Sequence, residues 1–298
     1  MPIKELRLDL TPTLKKVKLK ARIDVLNKVL EGNWNTLFKG QGMEFAGYRQ
    51  YTYGDDASKI DWSASLRAHE ILVRELEEYH NFNVFFLLDV SNSMLFSSNN
   101  KLKAEYAAEM VHSLSYAMLN NGDAIGLGMF NEKLVTQIIP TLGKGVYYKM
   151  TRELQDPDNY GGGYNLGKVL QYISTFLQDR SVVIIVSDFI GLKEGWYRYL
   201  NILSGKYDVI GIMVRDPRDA SVKDAEGQFL IEDPYTNSKI YMDSNEYRKL
   251  YESYVKKEED LIRKTFERSK LGFVSLRTDE EYHEPLMKYF KKRLALVR

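Results

Sequence analysis

Two stretches of this chain, NVFFLLDV at 83–90 and SVVIIVSDF at 181–189, are apolar at almost every position until an aspartate appears near their ends. A strand that alternates polar and apolar residues can leave one face in water, whereas one that does not must be covered on both faces. Around these runs the chain alternates in type. Helical spacing covers 101–119, 165–178, 196–203, 245–269 and 284–296, while DAIGLGMF (123–130), KLVTQII (133–139), YDVIGIMV (207–214) and GFVSLRT (272–278) read as strands. That alternation predicts an α/β fold built on a doubly wound, mainly parallel sheet with helices on both faces. Residues 219–243 read as a polar excursion containing a hairpin. Ligands of such sheets bind at the carboxyl ends of the strands, which is where both aspartates stand.

Composition narrows the function. With 298 residues, 44% hydrophobic and 28% charged, the chain has the mix of a soluble globular protein and enough length for a substantial core. Lys and Arg number 42 against 41 Asp and Glu, so no global field favours nucleic acid or an anionic membrane. The absence of cysteine excludes disulfides, thiolate metal centres and a cysteine nucleophile. The opening MPIKELRLDL carries charges where a signal peptide needs an apolar stretch. Neither apolar run approaches the roughly 20 residues that span a bilayer. A cytoplasmic chain without membrane insertion is expected, with no nucleic-acid partner.

At the end of the first apolar run, LLDVSNSM sets Asp89, Ser91 and Ser93 at alternate positions, and VSDF sets Asp188 at the tip of the second. Oxygen-only side chains suit a hard cation such as Mg²⁺. A third motif, GGGYNLGKV at 161–169, has from Gly162 the G-x-x-x-x-G-K spacing of a phosphate loop. A phosphate loop follows a buried strand and ends in Lys then Ser or Thr. Here DPDNY precedes it and Val169 takes the hydroxyl position, so the loop reads instead as one more contributor to the site.

D-x-S-x-S after an apolar strand, a G-G loop before a helix and S-D ending a later strand resemble the metal-ion-dependent adhesion site of von Willebrand factor A domains. The resemblance implies a von Willebrand factor A-like, Rossmann-type fold and a metal bound by two serines and a threonine. The aspartates often act there through water, and a partner's carboxylate completes the shell. Asp89, Ser91, Ser93 and Asp188 match position by position, but Tyr164 stands at the threonine position, leaving Asn165 as the substitute amide donor. Weak Mg²⁺ binding is expected. A hydrogen-bond cluster that merely caps loops is the alternative.

A longer resemblance spans almost the whole chain. GMEFAGYRQYTYGDDASKIDWSASLRAHEILVRELEE directly before LLDVSNSM, and VRDPRD at 214–219, are similar to the bacterial family known as domain of unknown function 58. It implies a protein-binding, chaperone-like role with a MoxR-type AAA+ ATPase and a client protein, in complex assembly or maturation rather than catalysis. The domain division expected is 1–80, an N-terminal helix and docking segment, and 81–298, the von Willebrand factor A-like domain.

In the N-terminal part, Leu19, Ile23, Leu26 and Leu30 form one face of a helix over 12–31, followed by a loop with Gly32, Gly40 and Gly42. Residues 43–80 lack helical periodicity and predict short strands and turns, with ILVREL the clearest strand. Asp55, Asp56 and Asp61 lie among Arg49, Lys59, Arg67 and Arg74, which predicts salt-bridge packing onto the sheet with Trp62 as the apolar anchor. The competing function is a Mg²⁺-dependent hydrolase, which requires Asp55, Asp56, Asp61 and Asp89 to converge. The four histidines, His69, His80, His112 and His283, form no H-x-x-x-H pair and no close Ser/His/Asp grouping.

Overall fold

Asp61 starts a short helix where the sequence pattern predicts only strands and turns. In the computed structural model, which describes residues 6–8, 10, 43–78, 82–221, 228–236 and 238–297, strand β1 (Met43–Gln50) pairs antiparallel with β2 (Leu72–Glu78), and helix α1 (Trp62–Ala68) lies between them in sequence. The Asp61 carboxylate accepts from the Ala64 amide at 3.0 Å, a helix N-cap. Its other oxygen takes the Tyr48 hydroxyl and Arg74 Nε, each at 2.9 Å. Backbone amide, Tyr48 and Arg74 together hold its pKa down at about 2. Arg49 grips Asp55 through two bonds of 2.6 and 2.7 Å. The ion pairs expected to fasten this segment to the sheet thus tie β1, α1 and β2 to one another. Trp62 is no anchor, since it points to solvent with 64% exposure. The helix expected over 12–31, its glycine loop and His80 lie outside the described residues.

The two apolar runs become adjacent parallel strands. β3 (Asn83–Asp89) pairs with β6 (Val182–Ser187) from Val84 opposite Val182 to Leu88 opposite Val186. With β4 (Ala124–Phe130), β5 (Leu134–Thr141), β7 (Asp208–Arg215) and β10 (Gly272–Arg277) they form a six-stranded sheet in the order β10-β7-β6-β3-β4-β5. Only β5 runs antiparallel to its neighbour. Numbered within the sheet, that order reads 3-2-1-4-5-6 from the β5 edge, the doubly wound arrangement expected, and its direction reverses between β3 and β6.

Side-chain alternation along β3 feeds two cores. Val84, Phe86 and Leu88 pack with α2 (Lys103–Asn120), α3 (Lys144–Gln155) and the C-terminal helix. Phe85 and Leu87 pack with α4 (Leu166–Ile173), α5 (Trp196–Ser204) and the long helix that follows the hairpin. After the short α6 (Pro217–Ala220), the hairpin is β8 (Gln228–Glu232) with β9 (Lys239–Asp243), as expected of the polar excursion. The two helices that close the chain are α7 (Ser244–Arg268) and α8 (His283–Val297). No helix among the described residues is long and apolar enough to cross a membrane.

Two helices differ from expectation. α3 was hidden by the glycines and tyrosines of KGVYYKMTRELQ, yet it buries Val146, Tyr147, Met150 and Leu154 on one face. α4 stops at Ile173 rather than continuing to 178, because the Ser174 and Thr175 hydroxyls bond back to the Gln171 and Tyr172 carbonyls and compete with the helical ladder.

Helix α7 approaches β7 closely where the strand has a glycine. A Cβ on Gly211 would stand 2.6 Å from the Phe266 ring. Gly211→Ala is expected to destabilise the protein by about 1–3 kcal/mol through overpacking, read as a lower urea midpoint. An unchanged midpoint would mean that Phe266 has room to move.

Candidate functional site at the sheet switch point

Where the strand order reverses, the tips of β3 and β6 bring two aspartates together in the interior. Asp89 ends β3, and its Oδ1 accepts from the Ser91 amide at 2.9 Å as the chain turns into the 3₁₀ segment Asn92–Leu95. Its Oδ2 accepts from Ser187 Oγ at 2.6 Å. Asp188, next after β6, accepts at Oδ1 from Ser93 Oγ at 3.1 Å and from the Ile190 amide at 2.9 Å. Ser91 Oγ lies 3.3 Å from Ser93 Oγ. Asp89, Ser91, Ser93 and Asp188, named from the sequence, are thus gathered in one cluster.

The glycine loop is clasped onto the same turn. Gly161, at φ +110°, donates to the Val90 carbonyl at 2.6 Å, and Gly162, at φ +98°, donates to Asn92 Oδ1 at 2.9 Å while accepting from the Asn92 amide at 3.0 Å. Both conformations favour glycine. Tyr164 then turns into the core beside Phe130, and its hydroxyl lies 3.2 Å from Ser187 Oγ. It reaches Asp89 from below, through Ser187, where a threonine would have presented a short hydroxyl. Asn165 caps α4, accepting from the Lys168 amide at 3.2 Å. Its side-chain oxygen therefore starts a helix and does not join the hydrogen-bonded cluster.

A lysine supplies positive charge from the opposite side. Lys103, at the start of α2 and 1% exposed, donates to Asp188 Oδ2 at 2.8 Å and to Asp219 Oδ2 at 2.7 Å. Asp219 also accepts from the Asp216 amide at 3.0 Å, a capping box built by the VRDPRD motif. Burial works against the Lys103 charge, but Asp188 and Asp219 outweigh it and raise its pKa. Two carboxylates therefore share one ammonium. Burial, together with the negative charge of Asp188, pushes the Asp89 carboxyl up to about 7 in spite of the bonds from Ser187 and Ser91.

The donor chemistry fits a hard divalent cation. All donors are oxygens, and the 3.1 and 3.3 Å separations along Asp188, Ser93 and Ser91 match the edge of about 3 Å that an octahedron with Mg–O bonds near 2.1 Å requires. Among the described residues no group of three or more His, Cys, Asp or Glu side chains could hold a metal ion. Asp55 is taken by Arg49, Asp56 by Ser58 and Asp61 by the α1 cap, so the convergence that a hydrolase centre demands is not present.

The cluster is closed to solvent, whereas a shell completed by a partner's carboxylate requires an open face. Asp89, Ser91 and Asp188 are 0% exposed and Ser93 2%. The loop between β8 and β9 covers them, with the Tyr235 hydroxyl 3.2 Å from Ser91 Oγ and 3.0 Å from Ser93 Oγ. Sequence reasoning missed Lys103, Ser187, Asp219 and Tyr235. Lys103 was detectable, since it lies on the stripe of Ala107, Met110 and Leu114 that α2 buries. Tyr235, 144 residues from Ser91, left no local signal.

The family model described as Protein of unknown function DUF58 matches residues 47–261. The uncharacterized proteins Rv1480 of Mycobacterium tuberculosis and Mb1516 of Mycobacterium bovis are each 26% identical over 212 residues, which is 70% of this chain and 66% of theirs. The chain thus spans about two thirds of the length of these relatives. Among solved structures, the conserved hypothetical protein BatB of Bacteroides thetaiotaomicron aligns with a TM-score of 0.48 at 15% identity, over 72% of this chain and 100% of that one. A von Willebrand factor type A protein of Catenulispora acidiphila aligns with a TM-score of 0.33 at 13% identity, over 47% and 35%.

Lys103→Met leaves buried Asp188 and partly exposed Asp219 without their cation and is expected to cost about 3–5 kcal/mol in chemical denaturation, with Asp188→Asn on the same chain recovering part of the loss. The folded pKa of Asp89 lies above its unfolded value, so its proton stabilises the fold fully below pH ~4, and this contribution is lost as the pH rises through about 7. Asp89→Asn should flatten that segment of the metal-free stability profile. A wild-type profile that rises from pH 4 to 7 and does not change in Asp89→Asn would contradict the assignment.

Proposed function

The chain belongs to the DUF58 family, and from that membership and the switch-point cluster we propose that it is a protein-binding adaptor of the von Willebrand factor A-like kind. The family and the fold support an interaction role at the level of class. The observation that carries the finer reading is the meeting of Asp89, Ser91, Ser93 and Asp188 at the carboxyl ends of β3 and β6, the ligand position of a doubly wound sheet. Ser91, Ser93 and Asp188 would hold Mg²⁺, with Asp89 contributing charge, and the bound cation would supply the positive charge that a partner's Asp or Glu requires.

The chain's own residues do the positioning. Ser187 fixes one oxygen of Asp89 and the Ser91 amide the other, so the carboxylate is oriented before any partner arrives. Lys103 holds Asp188 from the protein side and leaves Asp188 Oδ1 toward Ser93. No bond need be broken for this function. The partners that suit it are a MoxR-type AAA+ ATPase and a client protein in the cytoplasm, brought together during assembly or maturation of a complex.

The test compares wild type with Asp89→Ala, each confirmed as folded by circular dichroism and used as bait in Mg²⁺ buffer. Mass spectrometry is expected to find an AAA+ ATPase of the MoxR type with the wild type and to find it lost with the variant. Equal recovery on both baits would move the interface away from the switch point.

A further inference from the structure

The covered state of the site has a specific cause, and it points to regulation of the binding reading given above, on which this inference rests. The tip of the β8–β9 hairpin is pre-shaped. Asp233 Oδ1 accepts from the Tyr235 amide at 2.8 Å and from the Thr236 amide at 3.2 Å, and the Asp233 amide donates to the Ser238 carbonyl at 2.9 Å. This turn aims the Tyr235 hydroxyl into the cluster, 3.0 Å from Ser93 Oγ, 3.2 Å from Ser91 Oγ and 3.1 Å from the Ile190 carbonyl oxygen. Asn92, which clasps the glycine loop through its oxygen, donates through Nδ2 to the Pro234 carbonyl at 3.2 Å.

The seat for the ring is equally specific. Gly191 has φ +82°, and a Cβ there would lie 2.7 Å from Tyr235 Cε2. A glycine in the left-handed region therefore lets the ring lie flat on the loop that follows Asp188. With the tip seated, the four cluster side chains are at most 2% exposed. The phenol stands against both serine hydroxyls, where a partner's carboxylate would have to bind.

We infer that the β8–β9 tip is an internal ligand of the switch-point site. Tyr235 occupies the place of the partner's oxygen, and seating of the hairpin excludes occupation of the site from outside. The contacts suit a latch that is held by hydroxyl contacts and one backbone bond, with no ion pair at its tip. An acidic partner side chain gains a full charge at the site, whereas the phenol brings a neutral oxygen, so an occupied site favours the open hairpin. A ligand shifts such an equilibrium by its difference in affinity for the two states.

Because the chain contains no cysteine, single labels can be placed without interference. Nitroxides at Thr236→Cys on the tip and at the exposed Ile202→Cys on α5 report the hairpin position by double electron–electron resonance. The parent is expected to show a dominant short distance, with a longer one in about a tenth of the molecules. Tyr235→Phe, which keeps the ring and removes the hydroxyl, and Gly191→Ala, which crowds the ring and keeps the hydroxyl, should each enlarge the longer population. Calorimetry should show Mg²⁺ binding about tenfold tighter in Tyr235→Phe, the change expected when the competent fraction rises from about a tenth to nearly all. A distance distribution unchanged from the parent in both variants overturns the latch, and so does an open hairpin with unchanged Mg²⁺ affinity. If both variants open and Mg²⁺ binds none of the proteins, the latch stands and the cation reading of the site fails instead.

Discussion

Two carboxylates buried side by side repel each other, and most of what surrounds the tips of β3 and β6 answers that repulsion. Asp89 and Asp188 are placed there by the parallel register of the two central strands, which leaves no room to turn either away. Lys103 neutralises part of the charge from α2, and the Asp216–Asp219 turn shares that lysine. Ser187, Ser93 and backbone amides take the remaining lone pairs. The negative charge left over favours a proton on Asp89 and, on the proposed reading, would attract a divalent cation. A purely structural hydrogen-bond cluster would be better served by one carboxylate fewer, since like charges in a low dielectric are costly.

Much of this was legible because it is local or periodic. Unbroken apolarity in NVFFLLDV and SVVIIVSDF suits central strands, and the motif aspartates are the last residue of one strand and the first after the other. The site residues that escaped notice come from afar or from the wrong chemical class. Lys103 bonds Asp188 across 85 positions, and a lysine at the start of a helix reads as surface although this helix is buried on most sides. Tyr164 was recognised as an exception, but only the fold shows that its ring fills the core and reaches Asp89 through Ser187. Asn165 caps a helix with the oxygen that the sequence offers as a ligand, and the two uses of an amide oxygen look alike in sequence. In the N-terminal unit the charges were read correctly as pairs, while Trp62 was misplaced because hydrophobicity alone does not say which face of a short helix is covered.

Closure by the hairpin changes what kind of binding surface this is. A permanently exposed cation site would bind any acidic side chain that reached it. A site whose serines already hold a phenol discriminates, since a partner must supply more than the latch it displaces. The covering tip also helps the two serines tolerate burial, because Tyr235 contacts both of their hydroxyls.

On the proposed reading the β3/β6 switch point, rather than the aspartates near the N-terminus, is where this protein takes up a cation and meets its partner. Paramagnetic broadening by substoichiometric Mn²⁺ in amide NMR spectra tests it most directly, because the effect falls off steeply with distance from the metal. The account predicts that the amides of Val90, Asn92, Gly162 and Ile190 broaden first and that Asp89→Ala abolishes the effect. Broadening centred on Asp55 to Asp61, or the same pattern in wild type and Asp89→Ala, would contradict it.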